Sequence, residues 1–555
     1  MFATTPFSKT LYGISSYLLL FLFSLFAIGS LGFVLGFPIH ASYFYFGIFS
    51  ASVILYFLEK KEERSISWVL IITALSLAIV LCSLILASLY FDCSFDGQWY
   101  HQDAILFFDR GWNPFYEPLV EDVKASGFNA RYVNHYPKAS WTVSAILFKL
   151  THNIEIGKAI HFIAFFAFVC MTFSFIRRTC TINWWQTSLV VLMLAFSPVI
   201  AGQCFSYCVD GFLASLLFLF FVLLIQLVSY PSEKKYWVLA GACFVLLINL
   251  KFTSLVYAAL FILGFLVFVL IRKPSLLKSY VFGWTLLTFV GVCCFGYPTY
   301  VRNYLEKGHP FYPLMGKNNE GKSISEASYA GNFFEMNRFE KFYASHAAIP
   351  IYTDQTHNAI QKPLFNLYHS KKDWGYYKSL QPVAMSPLGP YGAELWVYFL
   401  VLVILFFWKN KNPWSIGLFF LIVTTMVVQP EFWNFRYAPQ LMLLFGLVCA
   451  ELFSRKSSIV RGFTLLFALL FLFNESIVMY QSWKWVQEKN ELLEKNLQSL
   501  SNKEVKMQSG WMHSFELKLE AYHIKPNYQL EPSDSLVKFA GDNYPNWQFV
   551  IPKQE

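Results

Sequence analysis

Charge is what this 555-residue sequence has least of. Asp, Glu, Lys and Arg make up 14%, while 56% is hydrophobic and 20% aromatic. A soluble globular chain carries about 25% charged residues, so that class is excluded before any residue is placed. Nucleotide and metal-hydrolase signatures are missing as well: there is no Walker loop, no GxGxxG after a strand and no HExxH. The ten cysteines fall mostly within apolar segments and form no CxxC pair or metal spacing, so neither a disulfide framework nor structural zinc is expected. No cleavable leader is evident, because the first apolar run is too long for a signal h-region and lacks a small-residue cleavage pattern. The net charge of +9 does not point to nucleic acid. It sits in short clusters between apolar runs, where topology and anionic headgroups account for it.

What is present is a series of long apolar runs. A span needs about 20 residues, fewer where neighbours shelter the helix. Thirteen segments qualify: residues 11–35, 42–58, 66–89, 156–176, 184–201, 212–228, 236–250, 255–271, 280–296, 395–408, 414–428, 438–453 and 460–480. Basic clusters fall at Lys60, Lys61 and Arg64; at Arg177 and Arg178; and at Lys234 and Lys235. Others lie at Arg272, Lys273 and Lys278; at Lys409 and Lys411; and at Arg455, Lys456 and Arg461. All six follow an even-numbered span, which predicts a cytoplasmic N-terminus and an extracytoplasmic C-terminus. The same rule splits 236–271 into two short spans joined by an outer turn at 249–254. The expectation is an all-α polytopic protein of about 13 transmembrane helices with the lipid bilayer as partner. Its membrane domain covers 1–480, with interfacial helices in outer loops 90–155 and 297–394. A small extracytoplasmic segment, 481–555, opens with a helical charged run and ends in a mixed stretch able to hold short strands.

The outer segments hold the residues that carry chemistry. Asp96 lies just beyond the third span in a run of aromatic and polar residues, Phe95-Asp96-Gly97-Gln98-Trp99-Tyr100-His101-Gln102-Asp103. An isolated acid there is most often solvated, but a carboxylate among aromatics at headgroup depth can take a proton from an attacking hydroxyl. Asp103 is the alternative base, and Tyr100 and His101 are neighbours that can orient a substrate. Lys251, Arg302 and Arg436 occupy outer ends of spans, where a cation either snorkels to headgroups or meets an anionic ligand. Three at one predicted depth favour a shared anion, with arginine offering a fork for phosphate oxygens and lysine a point charge. Asp210 opens the sixth span as a second acid, a partner for Lys251, or a helix N-terminal charge.

These segments resemble a family. Phe95 to Gly111 is similar to the first outer loop of GT-C glycosyltransferases such as protein mannosyltransferases and lipid A aminoarabinose transferases. Asp96 matches the first acid of their Asp-Glu pair, and Gly97 stands in place of the Glu. Leu250-Lys251 resembles their Leu-Thr-Lys-Gly turn, and Arg436-Tyr437-Ala438-Pro439 their Arg-Tyr entry to a late span. A closer likeness is to bacterial GT-C proteins that share Gly-Trp-Asn-Pro (111–114), Asn-His-Tyr-Pro-Lys (134–138), Arg302-Asn303 and Pro-Phe-Tyr-Pro (310–313).

The resemblance implies a GT-C fold in a bacterial cytoplasmic membrane. It also implies transfer of a sugar, with inversion, from a polyprenyl-phosphate donor to a glycan, lipid or protein acceptor. Asp96 would then be the base and the cations would hold the leaving phosphate. No cofactor is expected, no metal ligands are assigned, and a divalent-metal requirement stays open. Two rival readings are an O-antigen polymerase or ligase using diphosphate-linked substrates, and a lipid or polysaccharide transporter.

Overall fold

The computed structural model describes residues 5–550 except 61–63, 120–126, 318, 320, 328, 351–354, 366–370, 378–386, 409, 411, 509–511, 532–534 and 540–546. Lys61, Lys409 and Lys411 from the basic clusters, and the end of the tail at 551–555, lie outside the described residues.

Helices dominate. Among the described residues eight are long and apolar enough to cross a membrane: Pro6–Val34, Ser42–Lys60, Ile66–Ser88, Ile154–Thr179, Asp210–Ser229, Phe252–Arg272, Pro274–Phe295 and Ser458–Leu500. The other five predicted segments contain shorter helices, Trp184–Ala195, Lys234–Ile248, Gly392–Phe407, Pro413–Val427 and Leu441–Phe453. The segment 184–201 is not one helix. It stops at Ala195 and restarts as Pro198–Gly202, because Pro198 can open a helix but cannot continue one.

Side-chain caps recur next to the basic clusters. Ser65, Asn183, Asn412 and Ser457 each accept a backbone N–H at the start of the following helix. Such a cap satisfies one of the donors that a helix start leaves orphaned.

Helix Asp210–Ser229 is buried on nearly every side, packed by Ala159–Thr179, Lys234–Ile248 and Phe252–Arg272. Peripheral helices show the opposite pattern. Leu70, Ile71, Leu81 and Ile85 on one, and Phe282, Leu286 and Phe289 on another, point outward and exposed, the apolar surface a bilayer covers.

The predicted loop 90–155 is not merely interfacial. Its helix Ala139–Thr151 is buried from Ala139 to Phe148 and packs against Pro6–Val34 and Gln102–Asp109.

The tail combines a helix with strands. Helix Ser458–Leu500 runs 43 residues without a break at 480, so position 480 falls inside a continuous helix. Beyond it the mixed stretch holds short strands: among the described residues four form a sheet in the order Lys525–Asn527, Glu504–Gln508, Gln548–Val550, Leu536–Lys538. Alternation explains this, since Val505 and Met507 are buried while Glu504 and Gln508 face out as a two-residue period requires. Phe515, Phe539, Trp547 and Phe549 close a small aromatic core beneath the sheet.

Candidate functional site

The buried central helix opens at Asp210, and everything in the site is arranged around that carboxylate. Gln203 steadies the helix start, accepting from Gly211 N–H at 2.8 Å and reaching Asp210 Oδ2 at 3.4 Å. Lys251 sits in the tight turn between Lys234–Ile248 and Phe252–Arg272 and donates to Asp210 Oδ1 at 2.5 Å. Arg436 lies on the short turn Phe435–Tyr437, where its own backbone N–H donates to Asn434 Oδ1 at 3.2 Å. Its Nε donates to Asp210 Oδ2 at 2.8 Å and its Nη2 to Asp96 Oδ2 at 2.9 Å. Four side chains up to 340 positions apart therefore form one connected network of two carboxylates and two cations.

Burial divides their roles. The Asp210 side chain is 1% exposed, whereas Asp96, Lys251 and Arg436 are 25%, 20% and 18% exposed. A sealed carboxylate thus orients two cations and, through Arg436, a second carboxylate that solvent or a ligand can reach. The Tyr437 ring lies 4.8 Å from the Lys251 ammonium, adding a cation–π contact. The Arg436 turn is clamped from outside: Trp433 packs against Tyr329 and Phe333, and Ser345 bonds to its carbonyl.

Asp96 precedes a single π-helical turn, Gly97–His101, a geometry often found at functional sites. Gly97 is required there. A Cβ at that position would collide with the Asp92 carboxylate and Ser94 Oγ. Asp92 is held by the N–H groups of Ser94 and Tyr207. The space that a side chain at this position would take is therefore already filled by a buried acid.

Tyr100 stacks among His101, Tyr132 and Tyr136, and burial followed by the Asp96 charge pushes its phenol well above its ordinary value. The phenol therefore keeps its proton. His101 Nδ1 accepts from Trp141 Nε1 at 2.6 Å. Burial lowers its pKa to about 3, leaving a neutral ring with its hydrogen on Nε2.

Two of the predicted residues lie elsewhere. Asp103 is fully buried and accepts from the backbone N–H of Ser514 at 2.8 Å and His513 at 3.3 Å. It pins the tail to the segment 90–155 and is not part of the cluster. Arg302 is also apart, donating to Glu306 at 2.6 Å and to the Pro114 carbonyl at 3.0 Å.

Sequence reasoning missed Tyr132, Tyr136, Trp141 and Tyr437, and a second buried ion cluster in which Glu155 meets Lys158 at 2.8 Å and Lys518 at 3.2 Å. The spacing of Glu155 and Lys158 was a readable signal; nothing marked Lys518. Among the described residues no group of three or more His, Cys, Asp or Glu side chains is placed to hold a metal ion.

The role of Asp103 has a pH signature. Burial raises its pKa from 3.8 to about 6, against the opposing pull of His513 and the two backbone donors. The folded protein thus favours the protonated form. That stability is complete below about pH 4 and is lost as pH rises through about 6. Asp103→Asn is neutral throughout. The thermal stability of the wild type relative to this variant should fall by about 2–3 kcal/mol between about pH 4 and pH 7. A flat difference would remove Asp103 from the tail contact.

Compared with known proteins, the chain matches no family model and no curated protein.

Proposed function

We propose that this protein is a membrane glycosyltransferase of GT-C type. In this reading the thirteen apolar segments all cross a bacterial cytoplasmic membrane, and the cluster around Asp210 faces the extracytoplasmic side. The observation that carries it is the Asp96–Arg436–Asp210–Lys251 network: an accessible carboxylate beside two cations held in place by a buried one.

With Oδ2 engaged by Arg436, Asp96 Oδ1 takes the proton from the acceptor hydroxyl. The hydroxyl oxygen bonds to the anomeric carbon as the bond from that carbon to the phosphate oxygen breaks. The electron pair leaves with polyprenyl phosphate, and configuration inverts. Lys251 and Arg436 face the growing charge on the departing oxygen. Because Asp210 fixes them beforehand, little reorganisation is needed during the reaction. Tyr100 and His101 supply O–H and N–H donors from the neighbouring wall. Arg302, set apart from the cluster, has no part in this step.

The test is turnover by purified protein in nanodiscs supplied with polyprenyl-monophosphate sugars or with diphosphate-linked ones. Consumption of the monophosphate donors with release of polyprenyl phosphate is expected. Turnover of diphosphate-linked substrates alone would replace this reading with a polymerase or ligase. Net movement of glycolipid without bond cleavage would make the protein a transporter. In cells, a reporter at Lys234 should report cytoplasm and one after Glu555 the opposite side; both on one side would displace the site.

A further inference from the structure

The tail is tied to the segment that carries Asp96. Phe515 packs against Phe539 and Trp547, and Trp547 Nε1 donates to the Met512 carbonyl at 3.0 Å. The small core beneath the sheet thereby fixes the turn His513–Phe515 and the helix that follows it, Glu516–Ala521. That helix has six residues, too few to be stable alone, so its place is set by what it packs against.

Lys518 turns from this helix into the protein. Its side chain is 3% exposed, and its ammonium meets Glu155 Oε1 at 3.2 Å. The rings of Phe91 and Phe515 lie 5.7 and 5.9 Å from it. A lysine is almost never sealed to this extent unless it is paired; one that only decorated the tail would keep its ammonium in water.

Glu155 in turn holds both flanks of the Asp96 turn. Its Oε2 accepts from the Asp92 N–H at 2.8 Å, and its Oε1 accepts from Gln102 Nε2 at 3.2 Å. Lys158 meets Oε2 at 2.8 Å. From Asp92 the bonds continue inward: Oδ1 accepts from the Ser94 N–H at 2.7 Å, and Ser94 Oγ accepts from the Gly97 N–H at 3.1 Å. Asp96 and the π-helical turn Gly97–His101 therefore lie between two points gripped by one carboxylate. Lys251 and Arg436 are fixed otherwise, since both rest on Asp210, which is outside this chain of bonds.

We propose that Lys518 is a positioning residue for Asp96: by compensating Glu155 it lets that carboxylate hold Asp92 and Gln102 at once, so that the tail sets where the Asp96 carboxylate stands. That Asp96 serves as a base rests on the transferase reading; the grip on residues 92–102 does not. Without the ammonium a buried charge is left undercompensated, and Glu155 either turns towards Lys158 or takes a proton. Both changes release a flank of the segment. A misplacement of about 1 Å in a reacting group is enough to cost about 10²-fold in rate.

The experiment compares Lys518→Met with the wild type in nanodiscs by two readouts. Amide hydrogen exchange, measured without donor, should be at least about tenfold faster in residues 92–102 and unchanged in the membrane helices. Turnover of polyprenyl-monophosphate sugar should fall by about 10–10²-fold in kcat while KM for the donor holds. Lys518→Arg keeps the charge and should restore most of both. Lys525→Met, at an exposed tail position, should alter neither. If Lys518→Met does not insert, Lys518→Gln serves for the same comparison. Unchanged exchange in 92–102 overturns the proposal, and so does faster exchange with wild-type kcat. A loss of protection spread evenly over the chain, or one that arginine does not reverse, makes Lys518 a packing residue and overturns it too. A wild type that transfers nothing refutes the transferase reading, and the exchange result then decides the grip by itself.

Discussion

Asp96→Asn should lower turnover by about 10²–10⁴ while insertion, melting and donor binding stay near wild type. The substitution keeps the shape of the side chain and an oxygen able to accept from Arg436 Nη2, so the 2.9 Å contact survives and the cluster stays assembled. What it removes is the second carboxylate oxygen as a proton acceptor. Asp103→Asn is the matched control: its carboxylate is bound to backbone donors of the tail, so a milder, stability-linked effect is expected. Activity within a few fold of wild type in Asp96→Asn would leave no base at this position, because Asp210 is sealed and doubly bonded to cations.

Arg436→Gln should produce the largest combined loss, in stability and in chemistry. The guanidinium bridges two carboxylates at 2.8 and 2.9 Å. Breaking a buried pair typically costs about 3–5 kcal/mol, since one charge is left uncompensated. Asp210 keeps Lys251, which places the expected destabilisation at the low end of that range. Catalysis should suffer separately. Removing one preorganised donor to a developing oxyanion costs about 10²–10³ in kcat, and kcat/KM falls with it when the lost contact belongs to the transition state. Lys251→Gln should show a smaller fall, because a neutral amide can still reach Asp210 Oδ1. Arg436→Lys keeps the charge but cannot span both carboxylates; partial recovery of stability without recovery of kcat would mark the fork as the working part. Three variants that melt lower yet keep wild-type kcat would reduce the network to scaffolding.

The membrane part of the fold was legible because the physics there is one-dimensional. A helix in lipid must bury its backbone polar groups within itself, so apolar length and flanking charge report depth directly. That is why the apolar segments correspond to helices, with Pro198 breaking the segment 184–201 in two. The same property limited the site. Lys251, Arg302 and Arg436 share one predicted depth, yet depth says nothing about azimuth around the bundle. Two of them converge on Asp210 and the third faces Glu306. Asp96 and Asp103 sit seven positions apart, about two turns of an ideal helix, where a shared face would be expected. The π-helical turn between them shifts that register, and the tail, whose docking left no mark in the sequence, claims Asp103. The tail strands were visible only as alternation over three to five residues, too short for a reading without its partners.

Helix Ser458–Leu500 has a mechanical consequence. Its 43 residues at about 1.5 Å each make a rod about 65 Å long, roughly twice the thickness of a bilayer's hydrocarbon core. On its C-terminal half Asn490 accepts from Phe91 N–H at 2.6 Å, and Trp483 donates to the Tyr90 hydroxyl at 3.1 Å. A retilt of about 10° about the midpoint, within the range by which helices adapt to membrane thickness, moves Asn490, about 16 Å along the rod from that midpoint, by about 3 Å. A hydrogen bond does not stretch that far. A thinner or thicker bilayer is therefore felt at the Asn490 contact, where the displacement is taken up by that bond or by the short segment that leads from Phe91 to Asp96.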